Sequence, residues 1–369
     1  MIPPEVLLDR FLKSDERSQA DRAIYKGKQD LRALEPSLSS LLAGIQDTVN
    51  ADLRQRGNTF GIERVHSFHF DYVDATRPNA LAFEQEGYAF ICITMPLVRM
   101  LWRMCDCLSK SANVVEVFRV GATSPEREAI LAVLFTTQFA FIVGHEFAHH
   151  DRGHFRRQSS ETELWEEVQA ADGYGSLEEQ AREVDADGWA VYLALSHLVL
   201  GQRREMTRHL LGLQTAPDDS VDRIFLSSFI IAVATVLCVF PPATFDERTL
   251  YRLAHPPQAA RMNAIMHRVK VWCQQNRPAL ETWLTLERFQ GLMNAAREAT
   301  DELTATRDWR KQTEFFHTQA GSEYFKRLHE AVVSLIADAR LAIEERSEKA
   351  VAPKEFAGLS RITGREKSE

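Results

Sequence analysis

Cysteine is scarce and poorly placed for cross-linking. The five cysteines, at positions 92, 105, 107, 238 and 273, are odd in number and scattered, and the spacing of the close pair C-D-C is not that of a zinc knuckle. A disulfide scaffold is therefore excluded, and free thiols in a reducing compartment are expected. Positive charge is also in short supply: 44 Lys and Arg face 52 Asp and Glu, a net charge of −8. Nucleic-acid binders need clustered cations against phosphate, so no nucleic-acid partner is expected. The opening stretch "MIPPEVLLDRFLKSDERS" lacks the apolar segment of a secretory signal. A cytoplasmic location is the expectation.

Long apolar runs are limited to two stretches. "AILAVLFTTQFAFIVG" (129–144) contains Thr136, Thr137 and Gln138, and "IFLSSFIIAVATVLCVF" (224–240) is uncharged and closed by Pro241-Pro242. A membrane span needs about 20 apolar residues, and a helix apolar all round also serves as the centre of a large helical domain. Both stretches are expected to be core helices. The alternative is an inner- or cell-membrane protein anchored through 224–240.

Apolar residues make up 45% of the chain, which is enough for a substantial core. Residues 3–57 read as helical. "ERVHSFHFDYVD" (63–74) suggests a strand, and "NALAFEQEGYAFICIT" (79–94) a hairpin turning at Glu84–Gly87. "TSPERE" (123–128) carries a cap residue and a proline in the first turn, starting a helix that should run to about Asp151, where Gly153 stops it. Polar residues 155–175 read as a loop, and Ser176 with Glu179 starts a helix over roughly 177–200. The remainder to about 348 is mostly helical. Four segments are expected: an N-terminal helical segment (1–60), a core (61–270), a helical extension (271–348) and a disordered tail (349–369).

Chemistry concentrates in "IVGHEFAHHDRGHF", residues 142–155. His145 and His149 are four apart, so a helix stacks them on one face, where both rings can hold one ion. Glu146 then projects beside that ion, placed to act on a water bound to it. A catalytic zinc site takes three protein ligands and leaves a position open. Downstream, "EQAREVDADGWAVYLAL" offers Glu183 to complete a His-His-Glu set. Asp187, one turn on, is placed to accept a hydrogen bond from the free ring nitrogen of a ligand histidine. Taken alone, this acid pair is also what a solvent-facing amphipathic helix carries. His150 and His154 form a second four-residue pair, but Gly153 breaks the helix between them, so His154 is expected to pack against the site.

With "EVDADGWA" following it, "HEFAHHDRGHF" resembles the gluzincin metallopeptidases, in particular the CAAX prenyl endopeptidase and heat-shock protease family. "PNALAFEQEGYAFICITMPLVRML" (78–101) is similar to that family's strand and helix above the active-site groove, and "AHPPQAARMNAI" (254–265) to its "HPP…R" segment. More loosely the chain resembles phage-exclusion peptidases of the Lit type. The resemblance implies an α+β, mainly α fold: a zincin-like core whose small sheet (about 63–94) packs on an HExxH helix and an ExxxD helix, extended by further helices. It also implies His255 as a hydrogen-bond donor to the developing oxyanion, while a histidine that merely caps the Pro256-Pro257 turn is the alternative. Arg261 is expected to hold the fold or an acid near the zinc rather than touch substrate.

The expected activity is zinc-dependent endopeptidase chemistry, with His145, His149 and Glu183 on Zn2+ and Glu146 as the base. A protein or peptide substrate would lie along the 79–94 strand, and 155–175 would act as a lid or specificity loop. The competing expectation is a non-catalytic interaction protein in which zinc staples two helices. The absence of a fourth protein ligand near the motif weighs against it.

Overall fold

A computed structural model describes residues 2–14, 19–59, 67–119, 121, 123–154, 165–166, 175–201, 203–239, 246–304 and 309–351. Helices α1 (Pro4–Leu12) and α2 (Gln19–Ile24) lead into strand β1 (Tyr25–Lys28). Helix α3 (Pro36–Thr59) precedes β2 (Ser67–Ala75), β3 (Ala80–Gln85) and β4 (Tyr88–Thr94). Next come α4 (Met95–Lys110), α5 (Ala112–Phe118), α6 (Ser124–Asp151), β5 (Trp165–Glu166) and α7 (Leu177–Leu195). The chain continues through α8 (Arg203–Leu210), α9 (Asp218–Val239), α10 (Gln258–Asn276), α11 (Pro278–Trp283), α12 (Leu286–Thr300), α13 (Trp309–Phe316) and α14 (Gln319–Val351). The fold is α+β and mainly α, as expected from the sequence.

The sheet has the order β1-β2-β4-β3-β5. β3 and β4 form the expected antiparallel hairpin, with Gln85 opposite Tyr88 and the turn supplied by Glu86 and Gly87, both at positive φ. β2 runs parallel to β4, from Ser67 opposite Tyr88 to Val73 opposite Thr94. Residues 63–66 of the expected strand lie outside the described residues, as does all of the expected 155–175 loop except 165–166 and Gly175. The strands alternate strictly in what they bury. Phe70, Tyr72, Ile91 and Ile93 join a large core with α3, α4, α6 and α9, while Val73, Leu81, Phe83, Phe90 and Cys92 pack with Leu7, Leu8 and Leu12 of α1. A period of two with both faces covered is what a buried sheet requires.

Two short strands depart from expectation, β5 in the stretch read as a loop and β1 in the stretch read as helical. Residues 25–28, read as helical within 3–57, form β1 antiparallel to β2, with Tyr25 opposite Ala75 and Lys28 opposite Val73. Four residues are too few for a period to show in the sequence. What fixes the strand is distant: β2 supplies the ladder, and Asn79 Nδ2 donates to the buried Tyr25 hydroxyl at 2.7 Å.

α6 is the spine of the site. It starts where expected, with the Thr123 amide donating to Glu126 Oε2 at 3.0 Å and Pro125 in the first turn. It ends at Gly153, whose φ of 69° favours glycine. The polar Gln138 in its apolar run is satisfied inside the core, donating from Nε2 to Thr235 Oγ1 of α9 at 2.7 Å and accepting from Cys105 Sγ at 3.1 Å. At the C-terminal half, α7 crosses at close range: a Cβ on Gly144 would stand 3.3 Å from Ala190 Cα. Because Gly144 precedes His145 directly, this approach sets the distance between the histidines on α6 and the acids on α7. Gly144→Leu is therefore expected to drive the helices apart, costing about 1–3 kcal/mol in stability and weakening metal binding out of proportion. A thermal melt beside a zinc titration checks both effects.

Candidate metal centre

α6 presents His145 and His149 on one face, and α7 turns Glu183 and Asp187 toward them. All four side chains are buried, Glu183 and Asp187 completely. They are thus no longer the solvent-facing pair that an isolated amphipathic helix would carry. Nε2 of His145 lies 3.0 Å from Nε2 of His149. The Glu183 carboxylate reaches within 3.3 Å of the first nitrogen through Oε2 and 3.5 Å of the second through Oε1. These three residues form the His/Cys/Asp/Glu group, among the described residues, with a geometry able to hold a metal ion.

The donor set fits zinc. Ligands bound tetrahedrally at about 2.0–2.2 Å stand roughly 3.3–3.6 Å from one another. The nitrogens stand 3.0 Å apart, and each has one of the two Glu183 oxygens at 3.3 or 3.5 Å, separations of the same order. Two imidazoles and one carboxylate also match the set found in catalytic sites, which keep one corner for water. Burial, followed by repulsion from the neighbouring histidines, pushes the His149 pKa well below its ordinary value, so the ring is neutral as a ligand must be.

The surrounding residues take up the outer ring nitrogens. His145 Nδ1 donates to Asp187 Oδ1 at 3.0 Å. Arg261 grips the same carboxylate, Nε to Oδ2 at 2.9 Å and Nη2 to Oδ1 at 2.8 Å. Burial alone would raise the Asp187 pKa, but the Arg261 charge and the hydrogen bonds from His145 and Arg261 outweigh it and hold the group ionised. His154 comes back under the site after the Gly153 turn, with its Nδ1 3.0 Å from His149 Nδ1. Its Nε2 is 3.4 Å from Asp185 Oδ2, which also accepts from Arg152 Nε at 2.9 Å. His255 stands at the Glu183 side, Nε2 to Oε2 at 3.5 Å. Seven of the eight residues singled out in the sequence gather here in direct contact, and the eighth, Glu146, follows His145 on α6. His150 does not join them: its Nε2 donates to the Phe90 carbonyl at 3.0 Å, tying α6 to β4. His150 and His154 therefore make no second metal pair.

Glu146 is fully buried on α6. Its charge reaches β4: burial first, then the charges of Asp71 and Glu146, push the Cys92 thiol well above its ordinary range. Sequence reasoning missed Asp185 and Arg152. Asp185 sits between the two spaced acids of α7, off their shared face, and Arg152 falls in the last turn before Gly153. The available signal was His154 itself, a buried histidine in need of a partner.

The fold and this cluster define a class, a helical protein with a buried two-histidine, one-glutamate centre between two packed helices, and the comparison with known families supports a peptidase. Residues 110–281 match the family Peptidase U49. That span begins at the end of α4, closes in α11 and contains all eight residues. No curated protein and no solved structure matches the chain.

Proposed function

We propose that the chain is a zinc-dependent endopeptidase acting on a protein or peptide substrate. The observation that carries this reading is the convergence of His145 Nε2, His149 Nε2 and the Glu183 carboxylate, whose ligand atoms lie within 4.8 Å of one another, buried in the span that matches a peptidase family. Zinc, when bound, supplies a Lewis acid that makes a neighbouring water acidic near neutral pH. Glu146, which follows His145 on α6, would take a proton from such a water and return it to the leaving amine. His255, beside Glu183, is placed to donate to the oxyanion that develops on the scissile carbonyl. Asp187 and Arg261 keep His145 turned with its outer N–H held, which leaves Nε2 for the metal.

The substrate extends along the outer edge of β3, where backbone hydrogen bonds hold it and side-chain pockets select it. β5 already pairs there with Leu81 and Ala82, so a peptide on this edge either continues past those residues or displaces β5. We further propose that the protein works in the cytoplasm, with α6 and α9 as core helices.

Metal analysis tests the site. The purified protein should carry about one zinc per chain, and His145→Ala or His149→Ala should lose it, because two remaining ligands rarely hold a buried ion. Equal zinc in wild type and both variants would rule out the ligand assignment.

A further inference from the structure

Resting on the endopeptidase reading above, and on His255 as its oxyanion donor, the geometry brings the C-terminal helices into the site. We propose that Tyr324 of α14 and Gln312 of α13 position His255, by fastening the backbone on either side of it through Gln180 of α7 and the first turn of α10.

Residues 246–257 lead into α10 with one short 3-10 turn, Leu250–Arg252, so several of their carbonyls need partners from elsewhere. The start of α7 supplies them. The Gly175 amide donates to the Arg252 carbonyl at 2.7 Å. Gln180, wholly buried, uses its entire amide. Its Nε2 donates to the carbonyls of Leu250 at 2.8 Å and Leu253 at 2.9 Å. Carbonyls only accept, so the NH2 group must face them and Oε1 must face the other way. There the Tyr324 hydroxyl donates to it at 2.5 Å. Tyr324 is also wholly buried, in a cluster with Phe315, Leu328 and Val332, so bulk water does not stand in for its hydroxyl.

Gln180 and Glu183 are three apart on α7 and therefore neighbours on one face. The amide that holds the 250–253 turn is thereby fixed relative to the carboxylate of the metal centre. His255, two residues past Leu253, arrives with Nε2 3.5 Å from Glu183 Oε2. The far side of His255 is held from α13. Pro257 stands at the N-cap of α10 and supplies no side-chain cap. The Ala259 amide, one of the orphan donors of that helix start, donates instead to Gln312 Oε1 at 3.1 Å. Gln312 is buried, like Tyr324. Both lie beyond residue 281, where the match to the peptidase family ends, yet both fasten backbone inside it. They are positioning residues, since each acts through the chain that carries His255.

Tyr324→Phe keeps the ring and deletes the hydroxyl, and Gln312→Met keeps the length and deletes the acceptor. In the full-length protein, hydrogen–deuterium exchange over 246–257 should quicken on the order of tenfold in Tyr324→Phe, while α6 and α9 keep wild-type protection. Activity is read by mass spectrometry on peptides that the wild type cuts from a trypsin-digested whole-cell proteome. In both variants kcat should fall about 10–100-fold with KM within about threefold, because a misplaced oxyanion donor weakens only the transition state. Leu328→Ala, which removes packing from the same cluster and no hydrogen bond, should lose more stability than Tyr324→Phe and keep kcat. Adding Tyr324→Phe to His255→Ala should lower kcat no further, since the first acts through the second. The proposal is overturned if exchange over 246–257 is unchanged, or if kcat stays at the wild-type value in Tyr324→Phe and Gln312→Met. It is equally overturned if the effects of Tyr324→Phe and His255→Ala multiply. A wild type that cuts no peptide in the digest would instead remove the endopeptidase reading.

Discussion

Glu146→Gln should leave the zinc content and the fold unchanged while peptide hydrolysis falls at least 10²–10⁴-fold, the usual contribution of a positioned base. The expectation follows from the separation of roles. On the proposed reading, His145, His149 and Glu183 would hold the ion through nitrogen and oxygen lone pairs that this substitution does not touch. Gln is nearly isosteric with Glu, so the buried position is refilled without a cavity, and the amide can neither take a proton from water nor pass one to an amine. Glu183→Ala should behave differently, losing zinc and activity together. Asp187→Asn should fall between the two, with a 10–100-fold loss, because Arg261 and His145 remain but the acceptor is weaker. The measurements are zinc content, circular dichroism and turnover of a protein substrate found by comparing proteomes that express wild type or Glu146→Gln. A hydrolytically active Glu146→Gln would mean that another residue is the base.

Much of this centre is legible in the sequence because it is local. His145 and His149 belong to one helix, and so do Glu183 and Asp187, so the 3.6-residue period places each pair without knowledge of the fold. The caps at Thr123 and Ser176 and the stop at Gly153 are equally local, and all three are found where the sequence puts them. What the sequence does not disclose depends on contacts between distant segments. β1 exists because β2 offers it a ladder. β5 pairs with Leu81 and Ala82 across more than eighty residues of chain and has no periodic signature of its own. Asp185 appears in sequence as one more acid on an acidic helix. It acquires a task only when the turn after Arg152 carries His154 against it. The closeness of Gly144 to Ala190 is also invisible in the sequence, since any glycine inside a helix looks like a weak point until a partner helix occupies the space.

Ile231→Asp should prevent folding, whereas Ser220→Asp, a half-buried residue in the first turn of the same helix, should be tolerated. By length and apolarity α6 and α9 both qualify as membrane spans, so the distinction must come from what surrounds them. The most apolar part of α9 is 94% buried by the protein itself, and that of α6 78%. A helix enclosed on all sides has no face left for lipid, and its apolar character is already accounted for by the core. α9 packs against α6 and α12. Ile231 is wholly buried there, with Phe225, Phe229 and Val233 in the same core. A carboxylate at that position finds neither water nor a cation and costs roughly 4 kcal/mol or more, a large share of the 5–15 kcal/mol that holds a typical domain together. The expected result is aggregation on expression and loss of the cooperative thermal transition, with α6 and α7 lost along with their apolar backing. Wild-type protein should be recovered from the cytosol without detergent. Recovery of untagged wild type only in carbonate-resistant membranes would overturn the placement of α9 as a core helix, and would leave the metal centre as described.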